Sequence, residues 1–227
     1  MIAENLAQLH ARILKAALKA GRDPEGVRLV AVSKTVGHEK IAEAMAAGAH
    51  VFGENRVQEA VDKIATLGQN GVSWHFIGHL QKNKVKLIIK KFDLVHSVDS
   101  VALAERISRL SVEQKTRTPV LIQVNISGEI SKSGVAPGDL EKTLLAVSEF
   151  PGIRVDGLMT IPSADADPEK SRPDFAELRK LRDRHDGVAG LALKELSMGM
   201  SGDFEVAIEE GATLVRVGTA IFGKRSG

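Results

Sequence analysis

Apolar positions in this chain follow two rhythms, and the alternation between them predicts the architecture. Ile2, Leu6, Leu9, Ile13 and Ala17 recur every three or four residues, the spacing of one helical face, which ends near Gly21. Leu29 to Val32 is then an unbroken apolar run, with Pro24 and Gly26 before it and Gly37 after it. Such a run, rich in β-branched residues and bounded by turn formers, predicts a strand buried on both faces. The same change of rhythm repeats down the chain. Further strands are predicted at 50–53, 74–77, 93–97, 119–126, 155–160, 195–198 and 214–217. Helices are predicted at 39–47, 57–67, from about 84 to 91, up to 112 with Asp99 as its cap, 139–149, 169–185 and from Ser201 to Gly211.

Eight short strands, nearly every one followed by a helix, imply a parallel sheet with right-handed crossovers. Eight such units in 227 residues predict an α/β protein: a closed (β/α)8 TIM barrel with an extra N-terminal helix. An open doubly wound sheet is the alternative, and the absence of Gly-x-Gly-x-x-Gly after the first strand weighs against it. No stretch reads as a linker. The expectation is a single domain over 1–227, with the N-terminal helix in 1–21 and the barrel in 28–223.

Composition narrows the chemistry. Thirty-one basic and 29 acidic residues leave a net charge of +2, which calls for no electrostatic partner. Cysteine is absent, which excludes a disulfide framework, a thiol nucleophile and a Cys-ligated metal. No His or carboxylate cluster has metal-ligand spacing. Lys82, Lys84, Lys86, Lys90 and Lys91 form a basic run without interleaved aromatics, read as a solvated helix face and not a nucleic-acid site. No leader with a basic flank and no apolar run near the roughly 18 residues of a membrane span is visible. A cytoplasmic protein with no membrane partner is expected.

In a barrel, the C-terminal strand ends share the face that carries chemistry. That face receives Lys34, Asn55, Gly78 with His79, Ser97, Asn125, Thr160, Ser197 and Arg216. A lone strand-end lysine more often points into water. At the mouth of an apolar pocket, however, desolvation penalises the ammonium, and the lysine becomes a Schiff-base nucleophile. The run Ser197-Met198-Gly199-Met200-Ser201-Gly202 follows the seventh strand, and Gly218-Thr219 follows the eighth. Ser201 is expected at a helix N-terminus, where free N–H groups and the dipole favour an anion. Taken alone it is as well an ordinary N-cap. Gly218 allows close backbone approach. Loops after strands seven and eight form the recurrent phosphate site of this barrel, so a phosphorylated ligand is expected beside an amine.

Several motifs then add up to a resemblance. They are Ala31-Val32-Ser33-Lys34, Phe52-Gly53-Glu54-Asn55 with Gln58-Glu59, and Trp74-His75-Phe76-Ile77-Gly78 followed by Leu80-Gln81 and Asn83-Lys84. Ser131-Lys132-Ser133-Gly134, Gly157-Leu158-Met159-Thr160-Ile161, Leu196-Ser197-Met198-Gly199-Met200-Ser201 and Arg216-Val217-Gly218-Thr219 follow in order. Together they resemble the pyridoxal phosphate homeostasis protein family, from the first helix to Gly223. His79 is a minor departure, since some members have proline there. The resemblance implies a single barrel similar to the N-terminal domain of alanine racemase, a fold-type III pyridoxal 5′-phosphate (PLP) barrel. It implies PLP held as a Schiff base on Lys34, its phosphate against Ser201 and the backbone N–H groups of Gly218 and Thr219. It also implies Arg216 against the pyridine nitrogen and Asn55 beside the ring. Arginine keeps its proton, so a pyridine facing it stays unprotonated and the ring is a poorer electron sink.

The implied role is PLP storage, buffering or delivery to PLP-dependent apoenzymes, without turnover of an amino acid. The alternative is an amino-acid racemase, which needs an acid/base group on each face of the α-carbon. In alanine racemases the second group is a tyrosine from a second domain contributed by a partner subunit. This chain has no tyrosine, which leaves His75 and His79 as candidates. A Schiff-base aldolase acting on a sugar phosphate is a third reading, weakened because its lysine more often lies on a later strand. Lys132, in the polar loop after the fifth strand, is expected to be a second, transient amine for PLP entry or release. Lacking the racemase's second domain, the chain is expected to be a monomer.

Overall fold

A computed structural model describes residues 1–69, 71–129, 131–163 and 165–223. Helix α1 (Ile2–Lys19) forms because its apolar residues fall on one stripe, and Ile2, Leu6, Leu9, Ile13, Ala16 and Ala17 are buried. After it come β1 (Arg28–Val32), α2 (His38–Ala46), β2 (Val51–Glu54), α3 (Val57–Leu67) and β3 (Ser73–Phe76). Next are α4 (Val85–Ile88), β4 (Leu94–Val98), α5 (Val101–Glu113), β5 (Thr118–Gln123), α6 (Leu140–Ser148) and β6 (Ile153–Met159). The chain continues with α7 (Arg172–His185), β7 (Glu195–Ser197), α8 (Phe204–Glu209), β8 (Leu214–Val217) and α9 (Thr219–Phe222). All eight strands are parallel and close into a barrel in sequence order. Closure pairs β1 with β8, setting Val30 opposite Arg216 and Ala31 opposite Val217.

The two-residue period of the strands divides the core into two layers. Val30, Leu94, Leu121, Met159 and Leu214 meet inside the barrel. Ala31, Phe52, Trp74, Val95, Val120, Leu158 and Val215 belong to the larger cluster between sheet and helices. Each fully buried large side chain there contributes about 1.5–3 kcal/mol. Helix α1 packs on α8 and α9 and so covers the seam where the barrel closes.

Three local expectations are corrected. Helix α8 begins at Phe204, not at Ser201, because the Asp203 carboxylate accepts the Met200 N–H at 2.6 Å and closes a turn first. Ser201 therefore lies in that turn. Ser100, not Asp99, caps α5: its Oγ accepts the Leu103 N–H at 3.3 Å, while Asp99 faces His79 at 3.4 Å. The helix expected to run to 91 ends at Ile88, and Lys90 turns into the left-handed region at φ +62° so that Phe92 is buried.

Candidate functional site

A cleft of about 480 Å³ opens at the C-terminal end of the barrel. Lys34 enters it just past β1, Asn55 past β2, and Gly78 with His79 past β3. Met200, Ser201 and Gly202 line it from the loop after β7, and Arg216, Gly218 and Thr219 from β8 and the turn after it. Val32, Ile77 and Ile161 supply apolar wall. Lys34, Asn55, Ser201, Arg216, Gly218 and Thr219, scattered over the sequence, thus converge on one cleft. Lys34 is half-buried there.

Asn55 is held by close backbone packing. A Cβ on Gly78 would sit 2.3 Å from the Asn55 carbonyl oxygen, so only glycine fits beside it. Ser97, expected at the ligand face, instead donates its Oγ–H to the Gly78 carbonyl at 2.5 Å and holds that contact from behind. The Asn55 Oδ1 is buried and has no hydrogen-bond partner among the described residues. Such an atom is costly unless a partner completes it. Gly199, at φ +88°, turns the β7 loop back on α8: a Cβ there would lie 2.5 Å from that of Ala207.

Arg216 is the buried cation of the cleft, with 5% of its surface exposed. Nη1 donates to Ser197 Oγ at 2.5 Å and Nη2 donates to the Thr160 carbonyl at 2.9 Å. Burial lowers its pKa to about 10, against a smaller raising effect of Asp203, so it stays charged at neutral pH. Behind it runs a relay that the sequence reading did not foresee. Ser197 Oγ is 2.7 Å from His96 Nδ1, and His96 Nε2 is 2.9 Å from His75 Nδ1. Both imidazoles are buried, and desolvation drives His75 down to about 3 and His96 well below the ordinary histidine range. The readable signal was strand parity. His75 is in register with Leu94, and His96 lies two residues beyond Leu94, so both face the barrel interior.

This geometry removes His75 from the list of acid/base candidates at the ligand face, because it is 3% exposed and committed to His96. His79 does line the cleft. Lys132 does not reach it. Its Nζ lies 2.7 Å from Glu129 Oε1, 3.3 Å from Ser127 Oγ and 3.4 Å from Ser163 Oγ. It lines a smaller cavity of about 190 Å³ with Gln123, Asn125 and Ser133. Ile77, His79 and Ile161 are walls of both spaces. Ile130, in the same loop, lies outside the described residues.

Residues 5–226 match the family model of the alanine racemase N-terminal domain. The chain is 47% identical over 222 residues to the pyridoxal phosphate homeostasis protein of Aquifex aeolicus, covering 98% of this chain and 97% of that one. The chain belongs to the pyridoxal phosphate homeostasis protein family. Its likeness to the Pseudomonas aeruginosa member is 49% over 224 residues, with 99% and 96% covered. PipY of Synechococcus elongatus, solved with PLP bound, superimposes with a TM-score of 0.87 at 39% identity, covering 98% of this chain and all of PipY, 100%. Alanine racemase from Corynebacterium glutamicum shares the fold, with a TM-score of 0.72 at 23% identity. It covers 99% of this chain but only 61% of the racemase, so the family barrel matches part of that enzyme. The family and the alanine-racemase-like barrel expected from the motifs are both found. Among the described residues, no helix is long and apolar enough to cross a membrane.

Proposed function

We propose that this chain binds PLP in the cleft at the mouth of the barrel and serves PLP homeostasis by storing, buffering or delivering it, without turning over an amino acid. The observation that carries the reading is the convergence on one cleft of an amine, a buried guanidinium and two glycine-bearing loops. The buried Asn55 Oδ1 beside them, without a hydrogen-bond partner among the described residues, supports a polar ligand seated there. Family membership and the PLP-bound state of PipY support the identity of that ligand.

The residues present fit the group. Lys34 would hold it covalently, Ser201 with the backbone of Gly218 and Thr219 would hold its phosphate, and Arg216 and Asn55 would bind its ring. When bound, PLP would supply an aldehyde carbon able to condense with a lysine amine, releasing one water. Arg216 offers donors and, remaining protonated, keeps the ring nitrogen unprotonated; Ser197 and Thr160 hold its plane. The open cleft suits a cofactor that must leave again. On this reading the chain is a single barrel domain that works as a cytoplasmic monomer, and PLP-dependent apoenzymes are the recipients.

The test is the visible spectrum of the purified protein before and after borohydride, with peptide mapping of the reduced product. PLP fixed on Lys34 is the expected result. A protein that stays colourless with added PLP overturns the reading. α-Proton exchange on alanine or serine at ordinary enzymatic rates, lost in Lys34→Ala, would instead establish a racemase.

A further inference from the structure

Lys63 is a lysine where none is expected. It lies on α3 with 3% of its surface exposed, and burying an ammonium is expensive unless every donor is used. Here all three N–H groups have acceptors: the Ser33 carbonyl at 2.6 Å, Glu54 Oε1 at 2.8 Å and Glu59 Oε1 at 2.6 Å. The carboxylates pass the grip on. Glu54 Oε1 accepts the Ser33 Oγ–H at 2.6 Å, and Glu59 Oε1 accepts the Thr35 backbone N–H at 2.5 Å.

The end points of these bonds are what matter. Ser33 and Thr35 are the two neighbours of Lys34. Thr35 is held at φ +61°, a left-handed conformation that a β-branched residue rarely adopts. Backbone of this kind persists only where its surroundings over-determine it, and it collects at functional sites. Lys63 and Glu54 do not line the cleft, and Glu59 lines a neighbouring one, so none of the three meets a ligand beside Lys34. Burial pushes the Glu54 carboxyl up, against the opposing pull of Lys63 and Ser33. Glu59 is also pushed up by burial, but its bonds from Lys63 and Thr35 outweigh that and hold it low. Glu59 is thereby kept charged and able to grip Thr35.

We propose that Lys63 is a positioning residue for Lys34: with Glu59 and Glu54 it clamps the peptide units on both sides of Lys34 and so aims its side chain for attachment of PLP. This rests on the PLP reading above. It goes further by assigning a function to Glu54 and Glu59 of the Phe52-Gly53-Glu54-Asn55 and Gln58-Glu59 motif, of which only Asn55 lines the cleft.

A pair of ligands separates aiming from general support. Pyridoxine 5′-phosphate has the ring and the phosphate but no aldehyde, so it binds without Lys34 attachment. In Glu59→Ala and Lys63→Met, the dissociation constant for PLP should rise about ten-fold or more. Borohydride-trapped PLP on Lys34 should form correspondingly more slowly, while the affinity for pyridoxine 5′-phosphate stays within about two-fold of wild type. Glu59→Gln, whose amide oxygen still accepts from Thr35, should retain more PLP affinity than Glu59→Ala. If Lys63→Met does not fold, Glu59→Ala carries the test, because it leaves the Lys63–Glu54 pair in place. Equal losses for both ligands, or no loss for either, overturn the proposal. Failure of the wild-type protein to trap PLP on Lys34 overturns the underlying reading, and this proposal with it.

Discussion

Arg216 Nη1 donates to Ser197 Oγ at 2.5 Å, and that bond fixes the direction of every hydrogen bond behind it. A guanidinium has no acceptor, so the serine oxygen receives from it, and the buried hydroxyl proton is satisfied by donating to His96 Nδ1, its other hydrogen-bond partner among the described residues. His96 then carries its proton on Nε2 and donates to His75 Nδ1. One charged group at the ligand cleft thus selects the tautomers of two neutral rings inside the barrel. The chain has to stay neutral, because both rings are buried and a second cation would stand close to Arg216.

Acid should therefore loosen the fold from about pH 6.5 downward, before ordinary exposed carboxylates titrate. The folded-state pKa of His75 is about 3 and that of His96 is well below the ordinary value, with burial as the main cause. Below about pH 6.5 the unfolded chain takes up protons that the folded one refuses, so stability falls with pH until the folded pKa is reached. Within that window each histidine costs roughly 1.4 kcal/mol per pH unit. Urea unfolding at pH 7 and pH 5 checks this. A midpoint that does not move between them would mean that the relay is protonated in the native state.

Cutting the relay at its middle should cost stability as well. His96→Leu leaves the Ser197 hydroxyl without its acceptor and His75 Nδ1 without its donor. Each buried group so stranded costs about 1–3 kcal/mol. Chemical denaturation at pH 7 measures the loss. In the PLP-loaded protein the visible absorption band should shift too, since Ser197, no longer anchored by His96, holds the plane of Arg216 less firmly.

Gly78→Ala should act on Asn55. The added methyl would meet the Asn55 carbonyl at 2.3 Å and its Cα at 2.6 Å, both backbone atoms that cannot swing aside. A cost of about 1–3 kcal/mol is expected from such overpacking, together with weaker PLP binding. Thermal unfolding and fluorescence titration report the two effects separately. A variant with native stability and unchanged affinity would show that the β2 and β3 ends shift freely.

Lys132→Ala addresses exchange and not holding. Lys132 stands one cavity away from Lys34, with Ile77, His79 and Ile161 common to both spaces. Its loss should slow PLP loading and its transfer to an apoenzyme while the equilibrium yield of PLP on Lys34 stays the same. Stopped-flow absorbance measures the loading rate. Equal rates in variant and wild type would return Lys132 to its plain role as the partner of Glu129.

The residues of the cleft were legible because barrel geometry collects strand ends, and Lys34, Asn55 and Arg216 each follow or close a readable apolar run. Ser201 was found in the right loop but in the wrong element, since the capture of the Met200 N–H by Asp203 depends on side-chain reach that periodicity does not encode. His96 and Lys63 were not found. His96 sits in an apolar strand as if it were core, and its partner Ser197 lies across the barrel on β7. Lys63 falls at a helix position where a lysine normally meets water; only the placement of Glu54, Glu59 and Ser33 around it makes burial tolerable. Both residues depend on contacts between elements whose relative register the linear pattern leaves open.

The pairing of β1 with β8 also gives ligand binding a place in time. The amine follows the first strand of the barrel and the guanidinium lies on the last, and they come to line one cleft only when those strands join. A ribosome-bound chain still lacking Leu214–Val217 carries Lys34 but has no closed wall to set opposite it. Capture of cofactor by a nascent chain would therefore wait for the final strand, and the colour of the protein would report that its synthesis had passed residue 217.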